Sequence, residues 1–374
     1  MIKIVKIDEK VAVDQSGNRY LIADDIRGVN QKMWIKKEDG TIKDSYLIKF
    51  STRKPDTLTD FNLYNEVVCS RICRELELDH VDYDFCEFVD TDGKSRKGVI
   101  CPNYRESERH VELNGRSLHD FYCSWCYDNN FGKIPDIEIN TVYAYIEQLK
   151  SRFESRKMLM SEETEKRMTE ELITLSMFDF ATCQIDRHWG NVGWINNNLF
   201  EDNRFRIKLL PIYDNECSFL LDEITEEDLI NLIETIRSPK KSQIAIDMVN
   251  KKKRNAPYLG IKTALVRLKE DPKGFLVPRS NIEANVSNAT ILARELAQEI
   301  NNRPVIKKLY DKLINLDMNK LMAELDCIPE DKSYLKEIYS FVWNTRIQLL
   351  KDSFEQTKNH PEGGKEDGSG LSLL

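Results

Sequence analysis

The chain has 374 residues, of which 41% are hydrophobic and 32% are charged. This composition excludes wholesale disorder, because a disordered chain has too few apolar residues to bury a core. With 55 Lys and Arg against 63 Asp and Glu, the formal net charge is −8, which argues against a globally basic nucleic-acid-binding protein. The length suits one bilobal unit or two domains.

The first part of the chain, through residue 105, is predicted to be rich in β-strands. Its segments MIKIVKI, RYLIAD, KMWIKK and SYLIKF alternate or cluster strand-forming residues, and turn-like residues separate them. One helix is predicted over Thr59–Leu76, because its apolar residues repeat on a single helical face. Thr59 or Asp60 could cap that helix. Two more strand-like segments follow it, HVDYDFCEFV and GVICPNY.

After residue 105, helical patterns dominate. A predicted hairpin interrupts them, formed by NVGWINN and FRIKLLPIYD. The sequence therefore predicts an α+β, bilobal fold: a β-rich N-lobe over 1–105 and a larger, mainly helical C-lobe over 106–357. A Gly- and charge-rich tail over 358–374 is predicted to be flexible. The predicted C-lobe helices span 137–153, 162–184, 222–236, 282–301, 305–325 and 332–354.

Three polar residues in the C-lobe are candidates for a metal and proton-transfer site. Asp186 and Asn191 lie in the segment IDRHWGN, between a predicted helix and a predicted strand. Asp214 follows the second strand of the predicted hairpin. A hairpin brings its two ends together, so Asp214 is expected to return beside Asn191. Oxygen atoms are the ligands that magnesium prefers, and a carboxylate can accept a proton from an attacking hydroxyl.

Two residues of the N-lobe complete this set. Lys49 lies in the predicted strand SYLIKF, and Glu66 lies in the predicted helix. Phosphoryl transfer from ATP needs a lysine on the phosphates, a glutamate that orients it, metal ligands and a base. Lys49 precedes Glu66 as the strand lysine precedes the helix glutamate in protein kinases. The sequence therefore predicts an ATP-dependent phosphotransferase.

The chain also resembles the HipA-like serine/threonine kinases, a bacterial branch of the protein-kinase-like fold, over most of residues 20–350. Asp186 and Asn191 match the catalytic Asp-x-His-x-x-Asn signature of that family, and Tyr213-Asp214 matches its metal-binding motif. The resemblance implies that Asp186 is the base, that Asn191 and Asp214 bind Mg²⁺, and that Lys49 contacts the nucleotide phosphates. It further implies a protein substrate with a Ser or Thr acceptor, and autophosphorylation.

The resemblance also suggests where ATP would bind. HipA-like kinases have a short G-x-x-x-K phosphate loop, and backbone N–H groups of such a loop could wrap the phosphates. The adenine is expected where the lobes join, near Asn103 and Tyr104; this expectation rests on position alone. The matching loop here consists of Gly28, Val29, Asn30, Gln31 and Lys32.

Several alternatives stay open at this point. Lipid kinases use a similar DRHxxN loop, so a phosphoinositide or small-molecule kinase is one alternative, and a catalytically dead nucleotide-binding module is another. Taken singly, Asp186, Asn191 and Asp214 could be ordinary turn or capping residues. Arg187 could contact a phosphate or the backbone of the metal-binding loop. Cys123 and Cys126 form a CxxC that fits ordinary thiols better than a zinc site, which needs more ligands.

The sequence also bears on partners and location. Lys251 to Arg254 form a local basic run that is either a solvated face or a docking site for an acidic partner, RNA or membrane phosphate. No stable nucleic-acid partner is expected. Only about twenty residues precede the presumed kinase core, which makes a conventional antitoxin partner doubtful. No apolar run is long enough to span a bilayer. A cytoplasmic protein is expected, one that could also be secreted into a host cell as an effector, as some compact HipA-like kinases are.

Overall fold

Alternating apolar residues fold the N-terminal part into a closed β-barrel. In this computed structural model, strands β1 to β7 form it in the order β1-β2-β3-β4-β5-β7-β6. Neighbouring strands are antiparallel except for β1 and β6, which pair in parallel. The seven strands are β1 (Ile2–Asp8), β2 (Val11–Asp14), β3 (Arg19–Ala23), β4 (Lys32–Lys37), β5 (Ser45–Phe50), β6 (Asp84–Val89) and β7 (Ser95–Pro102).

The structure describes most but not all of the chain. Its contacts and elements are known for these parts only. The described residues are 2–8, 11–23, 32–50, 60–89, 93–105, 111–114, 142–155, 160–187, 189–196, 207–221, 224–251 and 289–359.

The helix of the N-lobe, α1 (Phe61–Glu75), packs against β6 and β7. The sequence predicted this helix, and Asp60 occupies its N-cap position, although the Asp60 side chain makes no capping hydrogen bond. The apolar face that predicted the helix is buried, and polar residues that include Asn65 and Glu66 are buried with it. Burial of polar groups requires hydrogen-bond partners, and both residues find theirs in the C-lobe or on β5.

The C-terminal part is mainly helical, as predicted. Its helices share one continuous apolar core, which includes the fully buried Phe178, Trp194 and Trp343. A small antiparallel sheet lies beside them, in the strand order β10-β9-β8. The described elements are β8 (Val111–Asn114), α2 (Val142–Ser155), α3 (Glu162–Thr182), β9 (Gly193–Asn196), β10 (Ile207–Leu209), α4 (Glu226–Arg237), α5 (Ser242–Lys251), α6 (Ala289–Asn302), α7 (Pro304–Asn315), α8 (Met318–Glu324) and α9 (Tyr334–Asn359).

The structure corrects three details of the sequence prediction. The single helix predicted over 305–325 is two helices, because the Asp317 side chain accepts a hydrogen bond from the N–H of Lys320 and starts a new helix, α8. The helix α5 was not predicted. The predicted hairpin of β9 and β10 has a third strand, β8, which pairs with β9.

Some predictions fall outside the described residues. These are the phosphate-loop positions 28–31, the CxxC, most of the basic run and the tail beyond residue 359. The last helix continues to Asn359, beyond its predicted end. The division of the chain at residue 105 stays a prediction. Among the described helices, none is both long enough and apolar enough to cross a membrane.

Candidate active site

Three charged residues that are distant in the sequence meet between the two lobes. The ammonium of Lys49, on β5, donates hydrogen bonds to the carboxylate of Glu66 on α1 and to Oδ1 of Asp214, the latter at 2.5 Å. Lys49 is 3% exposed and Glu66 is 1% exposed. Buried charges are stable only when they are paired. The structure therefore brings together the predicted phosphate lysine, its predicted partner and a predicted metal ligand.

A second lysine faces the same carboxylate. Lys32 is the first residue of β4 and lies directly opposite Lys49 on the neighbouring strand. Its Nζ lies 4.0 Å from Oδ1 of Asp214. Like charges opposite each other on adjacent strands repel, so the carboxylate between them offsets that repulsion. The sequence predicted Lys32 both as the end of a phosphate loop and as the first residue of the strand KMWIKK, and the structure places it at the start of that strand.

The backbone at Asp214 has a left-handed conformation, with φ of 58°. Residues other than glycine adopt this conformation uncommonly, although Asp and Asn tolerate it better than most. The N–H of the next residue, Asn215, donates to Oε2 of Glu66 at 2.9 Å. Glu66 therefore holds both Lys49 and the backbone of the segment that carries Asp214.

Electrostatics keep these groups in defined charge states. Burial alone would lower the pKa of Lys49, but Asp214 and Glu66 outweigh it and raise that pKa well above its ordinary value. Burial would raise the pKa of Asp214, yet Lys49 and Lys32 hold that pKa well below its usual range. Burial raises the pKa of Glu216 to about 7, with the charges of Asp214 and Glu66 adding to the effect and Lys49 opposing it.

The predicted base is tied to the Asp214 segment by one amide side chain. Gln184 accepts a hydrogen bond from the N–H of Asp186 at 2.9 Å and donates to the carbonyl of Asp214 at 3.0 Å. The amide nitrogen of Asn191 donates to the carbonyl of Asp186 at 2.9 Å. This leaves Oδ1 of Asn191 as the atom that could bind a metal. Asp186, Asn191 and Asp214 thus belong to one hydrogen-bonded unit.

Arg187 connects the loop that carries Asp186 with the segment that carries Asp214. Its guanidinium is fully buried and bonds to the Asp179 carboxylate on α3, with the Nη2–Oδ1 distance 2.9 Å. The same group donates to the Tyr213 carbonyl at 2.6 Å and to Oδ1 of Asn215 at 2.8 Å. Arg187 therefore contacts the backbone of the predicted metal-binding loop, which was one of the two roles that the sequence left open.

The chemistry of the carboxylates fits a hard divalent cation. Oxygen atoms of Glu66, Asp214 and Glu216 lie within 4.8 Å of one another. Magnesium binds oxygen ligands, commonly one or two carboxylates together with substrate phosphates. Since Glu66 already holds Lys49 and the N–H of Asn215, Asp214 and Glu216 are the carboxylates that fit the ion best. The predicted ligands were Asn191 and Asp214, and the sequence did not suggest Glu216 as a candidate.

Asn103 and Tyr104, which were predicted to lie near the adenine, contact residues on β5 and in the segment of Asp214. The side-chain oxygen of Asn103 accepts a hydrogen bond from the backbone N–H of Arg105 at 2.9 Å. The backbone N–H of Asn103 donates to the carbonyl of Ser45 at 2.9 Å. The Tyr104 ring stacks on Tyr213, with centroids 6.5 Å apart. This contact places Tyr104 beside the segment of Asp214. Gly28, Val29, Asn30 and Gln31 lie outside the described residues.

Sequence reasoning missed four residues that organise the site. These are Asn65, Asp179, Gln184 and Glu216. One signal was present in the sequence: Asp179 interrupts the apolar run SMFDFATC, and a charge inside a buried helix needs a partner of opposite charge. For Asn65, Gln184 and Glu216 the sequence gives no comparable signal, because their partners are backbone atoms or side chains far along the chain.

Comparison with known proteins supports the fold. No protein-family model and no curated protein matches the chain by sequence. The solved structure of the proinflammatory kinase CtkA from Helicobacter pylori matches with a TM-score of 0.54 and 14% identity, over 90% of this chain and 97% of that chain. The chain has a protein-kinase-like fold. At this identity the match establishes the shared fold alone, and it confirms the predicted bilobal α+β architecture.

A weaker match exists to a chain of the HipA, HipB and operator DNA complex from the toxin–antitoxin system of Shewanella oneidensis. Its TM-score is 0.45 at 12% identity, and it covers 88% of this chain and 67% of that chain.

Proposed function

We propose that this chain is an ATP-dependent serine/threonine protein kinase of the HipA-like type. The observation that supports this most directly is the convergence of Lys49, Glu66 and Asp214 between the lobes of a kinase-like fold. In protein kinases, the strand lysine and helix glutamate form an ion pair, and an aspartate that binds Mg²⁺ lies beside it. The match in fold to a proinflammatory kinase adds support.

In this proposal each residue has a defined task. Lys49 and Lys32 bind phosphate oxygens of ATP, and Glu66 keeps Lys49 directed toward them. Asp214 and Asn191, with Glu216, hold Mg²⁺, which neutralises charge on the phosphates. Asp186 accepts the proton of the attacking hydroxyl while the new P–O bond forms and the bond to the ADP oxygen breaks.

Positioning carries most of the rate enhancement in this mechanism. The bonds of Gln184 and Arg187 fix the loop of Asp186 against the segment of Asp214, so the base and the metal ligand move as one unit. A rigid arrangement of this kind avoids reorganisation during the reaction.

The proposal is tested by incubating the purified protein with radiolabelled ATP and Mg²⁺, with a generic protein acceptor and phosphoinositide vesicles in parallel. We expect transfer to protein, including autophosphorylation, and mass spectrometry should locate the phosphate on Ser or Thr. Asp186→Asn should lower the rate by about 100-fold or more, because it removes the proton acceptor. Asp39→Asn, at an exposed turn after β4, should behave as the wild type.

Three outcomes would contradict the proposal. Transfer to lipid but not to protein would favour a phosphoinositide kinase. Nucleotide binding without transfer would favour a catalytically dead module. Equal rates for Asp186→Asn and Asp39→Asn would remove Asp186 from the mechanism.

A further inference from the structure

A cavity of about 340 Å³ lies where the segment after α1 meets the C-lobe. Its walls come from the segment after α1, from α3, from β10 and the residues after it, and from the start of α7. Volumes of this order are typical of small-molecule sites. The apolar part of the lining consists of Leu78, Leu175, Leu209, Leu210, Ile212 and Val305.

The charged residues around the cavity differ in how they are paired. Nζ of Lys208 lies 2.5 Å from Oδ2 of Asp79, and Nη1 of Arg303 lies 3.8 Å from Oε1 of Glu170. Both partners of the first pair are about half exposed, so solvent screens their charges. The Asp79–Lys208 pair therefore offers little net charge to a ligand, while Glu170 shares Arg303 with Glu299, whose carboxylate lies closer to Arg303, at 2.8 Å.

Glu171 differs from its charged neighbours. Its Oε2 accepts a hydrogen bond from the N–H of Leu209 at 3.1 Å, and it is partly buried in the cavity wall. Among the described residues, no Lys or Arg nitrogen lies within 4.0 Å of this carboxylate. Arg167 and Lys208 are near enough to lower the pKa of Glu171. Lys208 is paired with Asp79, whereas the Arg167 guanidinium keeps its charge and donates to the Ile207 carbonyl rather than to Glu171. A partly buried carboxylate is a strong site for a cationic group.

We propose that this cavity binds a small cationic amphiphile, with an ammonium group at Glu171 and an apolar chain against Leu175, Leu209 and Ile212. The apolar chain would gain free energy from burial along the aliphatic walls. The ammonium would donate to the Glu171 carboxylate, and burial of Glu171 raises its pKa, which indicates how poorly water solvates the charge.

One residue of the cavity wall, Ile212, belongs to the segment that leads to the proposed kinase site. Ile212 lies two residues before Asp214 in the chain. The N–H of Ile212 donates to the Asp79 carbonyl and its own carbonyl accepts from the N–H of Val81, each at 2.9 Å. An occupant would therefore contact both the segment that leads to Asp214 and the segment that follows α1.

The test uses three probes with the same eight-carbon chain: octylammonium, octanol and octanoate, titrated by calorimetry below their micelle concentrations. We expect octylammonium to bind best and octanoate worst. Glu171→Gln keeps the acceptor for the Leu209 N–H, so it should fold, which circular dichroism checks. It should weaken octylammonium by about tenfold and leave octanol unchanged, because only the charge is lost.

Two further variants locate the site. Glu163→Gln, on the exposed first turn of α3, should bind all three probes as the wild type does. Val305→Lys adds a cation at the exposed rim, so it should weaken octylammonium and strengthen octanoate. The proposal is overturned if no probe binds saturably, if octanoate binds as well as octylammonium, or if Glu171→Gln leaves octylammonium binding unchanged.

Discussion

Lys49 shows how a single buried charge depends on its neighbours. Removing an ammonium from water costs several kcal/mol, and the two carboxylates around Lys49 offset that cost. They also raise the pKa of Lys49, so the residue is protonated at neutral pH. The same contacts that would prepare Lys49 for phosphate binding therefore also contribute to the stability of the fold.

Replacing this lysine should destabilise the protein. Lys49→Met leaves Glu66 and Asp214 facing each other without the cation between them, and such a loss in a buried cluster costs about 3 kcal/mol or more. Urea unfolding at neutral pH measures the change in the free energy of unfolding. Lys37→Met, at an exposed position at the end of β4, should change it by less than about 0.5 kcal/mol. Similar losses for both variants would show that Lys49 is not held as described.

Glu171 should make stability depend on pH. Burial raises its pKa above 4.5, while the Leu209 N–H, Arg167 and Lys208 oppose the shift and Asp79 adds to it. Between the unfolded and folded pKa values the native state binds more protons, so this residue's contribution to stability is lost as the pH rises through that window. Glu171→Gln should remove this pH-dependent loss of stability. The test is to measure the free energy of unfolding of the wild type and of Glu171→Gln from pH 4.5 upward. If this free energy depends on pH in the same way in both proteins, the prediction is contradicted.

The residue types of the site could be predicted from the sequence, but its geometry could not. Lys49, Glu66 and Asp214 stand in an order that suits phosphoryl transfer, and the structure brings them together. Their assigned roles stay predictions. Lys32 was predicted at the start of a strand, but its approach to Asp214 depends on the pairing of that strand with the strand of Lys49, which the sequence does not show. Glu216 was not predicted because its closeness to Glu66 and Asp214 is a property of the folded chain, in which the backbone at Asp214 is left-handed.

At the scale of elements, Arg187 connects three segments. Helix α3 contributes Asp179, the loop before β9 contributes Arg187, and the segment after β10 contributes the Tyr213 carbonyl and Asn215. The planar guanidinium presents several donors in a fixed arrangement, which a lysine ammonium cannot reproduce. The arrangement of the two loops therefore depends on the shape of this side chain as well as on its charge.

Arg187→Lys should consequently be damaging although it conserves charge. It leaves acceptors such as Asn215 Oδ1 without their partner, at a cost of about 2–4 kcal/mol in the free energy of unfolding. It should also lower the rate of phosphoryl transfer, because the loop of Asp186 loses its attachment. Arg19→Lys, in an exposed pair with Glu38, should cost less than about 1 kcal/mol. If both variants unfold at the same urea concentration, the shape of the side chain is unimportant.

The elements themselves could be predicted where the apolar pattern was long and regular. Helices α1, α3 and α9 lie close to their predicted positions for this reason. The break between α7 and α8 was missed because the apolar repeat continues across Asp317, whose capping role depends on its local hydrogen bond. Strand β8 was missed because a strand of four residues carries little pattern, and its place is set by pairing with β9.

At the scale of the whole molecule, a buried amide joins the two lobes. The Asn65 side chain on α1 donates to the carbonyls of Glu216 at 2.7 Å and Ser218 at 3.0 Å. Its oxygen accepts a hydrogen bond from the Tyr339 hydroxyl on α9 at 3.1 Å. The orientation of α1, and with it that of Glu66, is therefore linked to α9, the longest of the described helices.

Loss of the Tyr339 hydroxyl should loosen this connection. Tyr339→Phe leaves Oδ1 of Asn65 without this donor in a buried place, which costs about 1–3 kcal/mol. Tyr310→Phe is the matched control, since Tyr310 is also buried and its hydroxyl makes no hydrogen bond with any described residue. Calorimetric melting of both variants tests this. The expected result is a lower melting temperature for Tyr339→Phe than for Tyr310→Phe, and the reverse order would refute the linkage.

The closed barrel of the N-lobe has a consequence for behaviour in concentrated solution. Each of its seven described strands has a neighbour on both sides, so none presents a free backbone edge to another chain. The parallel seam between β1 and β6 joins only Ile2 with Cys86, Lys3 with Glu87 and Ile4 with Phe88. Separation of β1 from β6 would leave unpaired backbone N–H and C=O groups on both strands, and these groups could pair with strands of another molecule. Resistance to aggregation should therefore depend on the first strand of the chain.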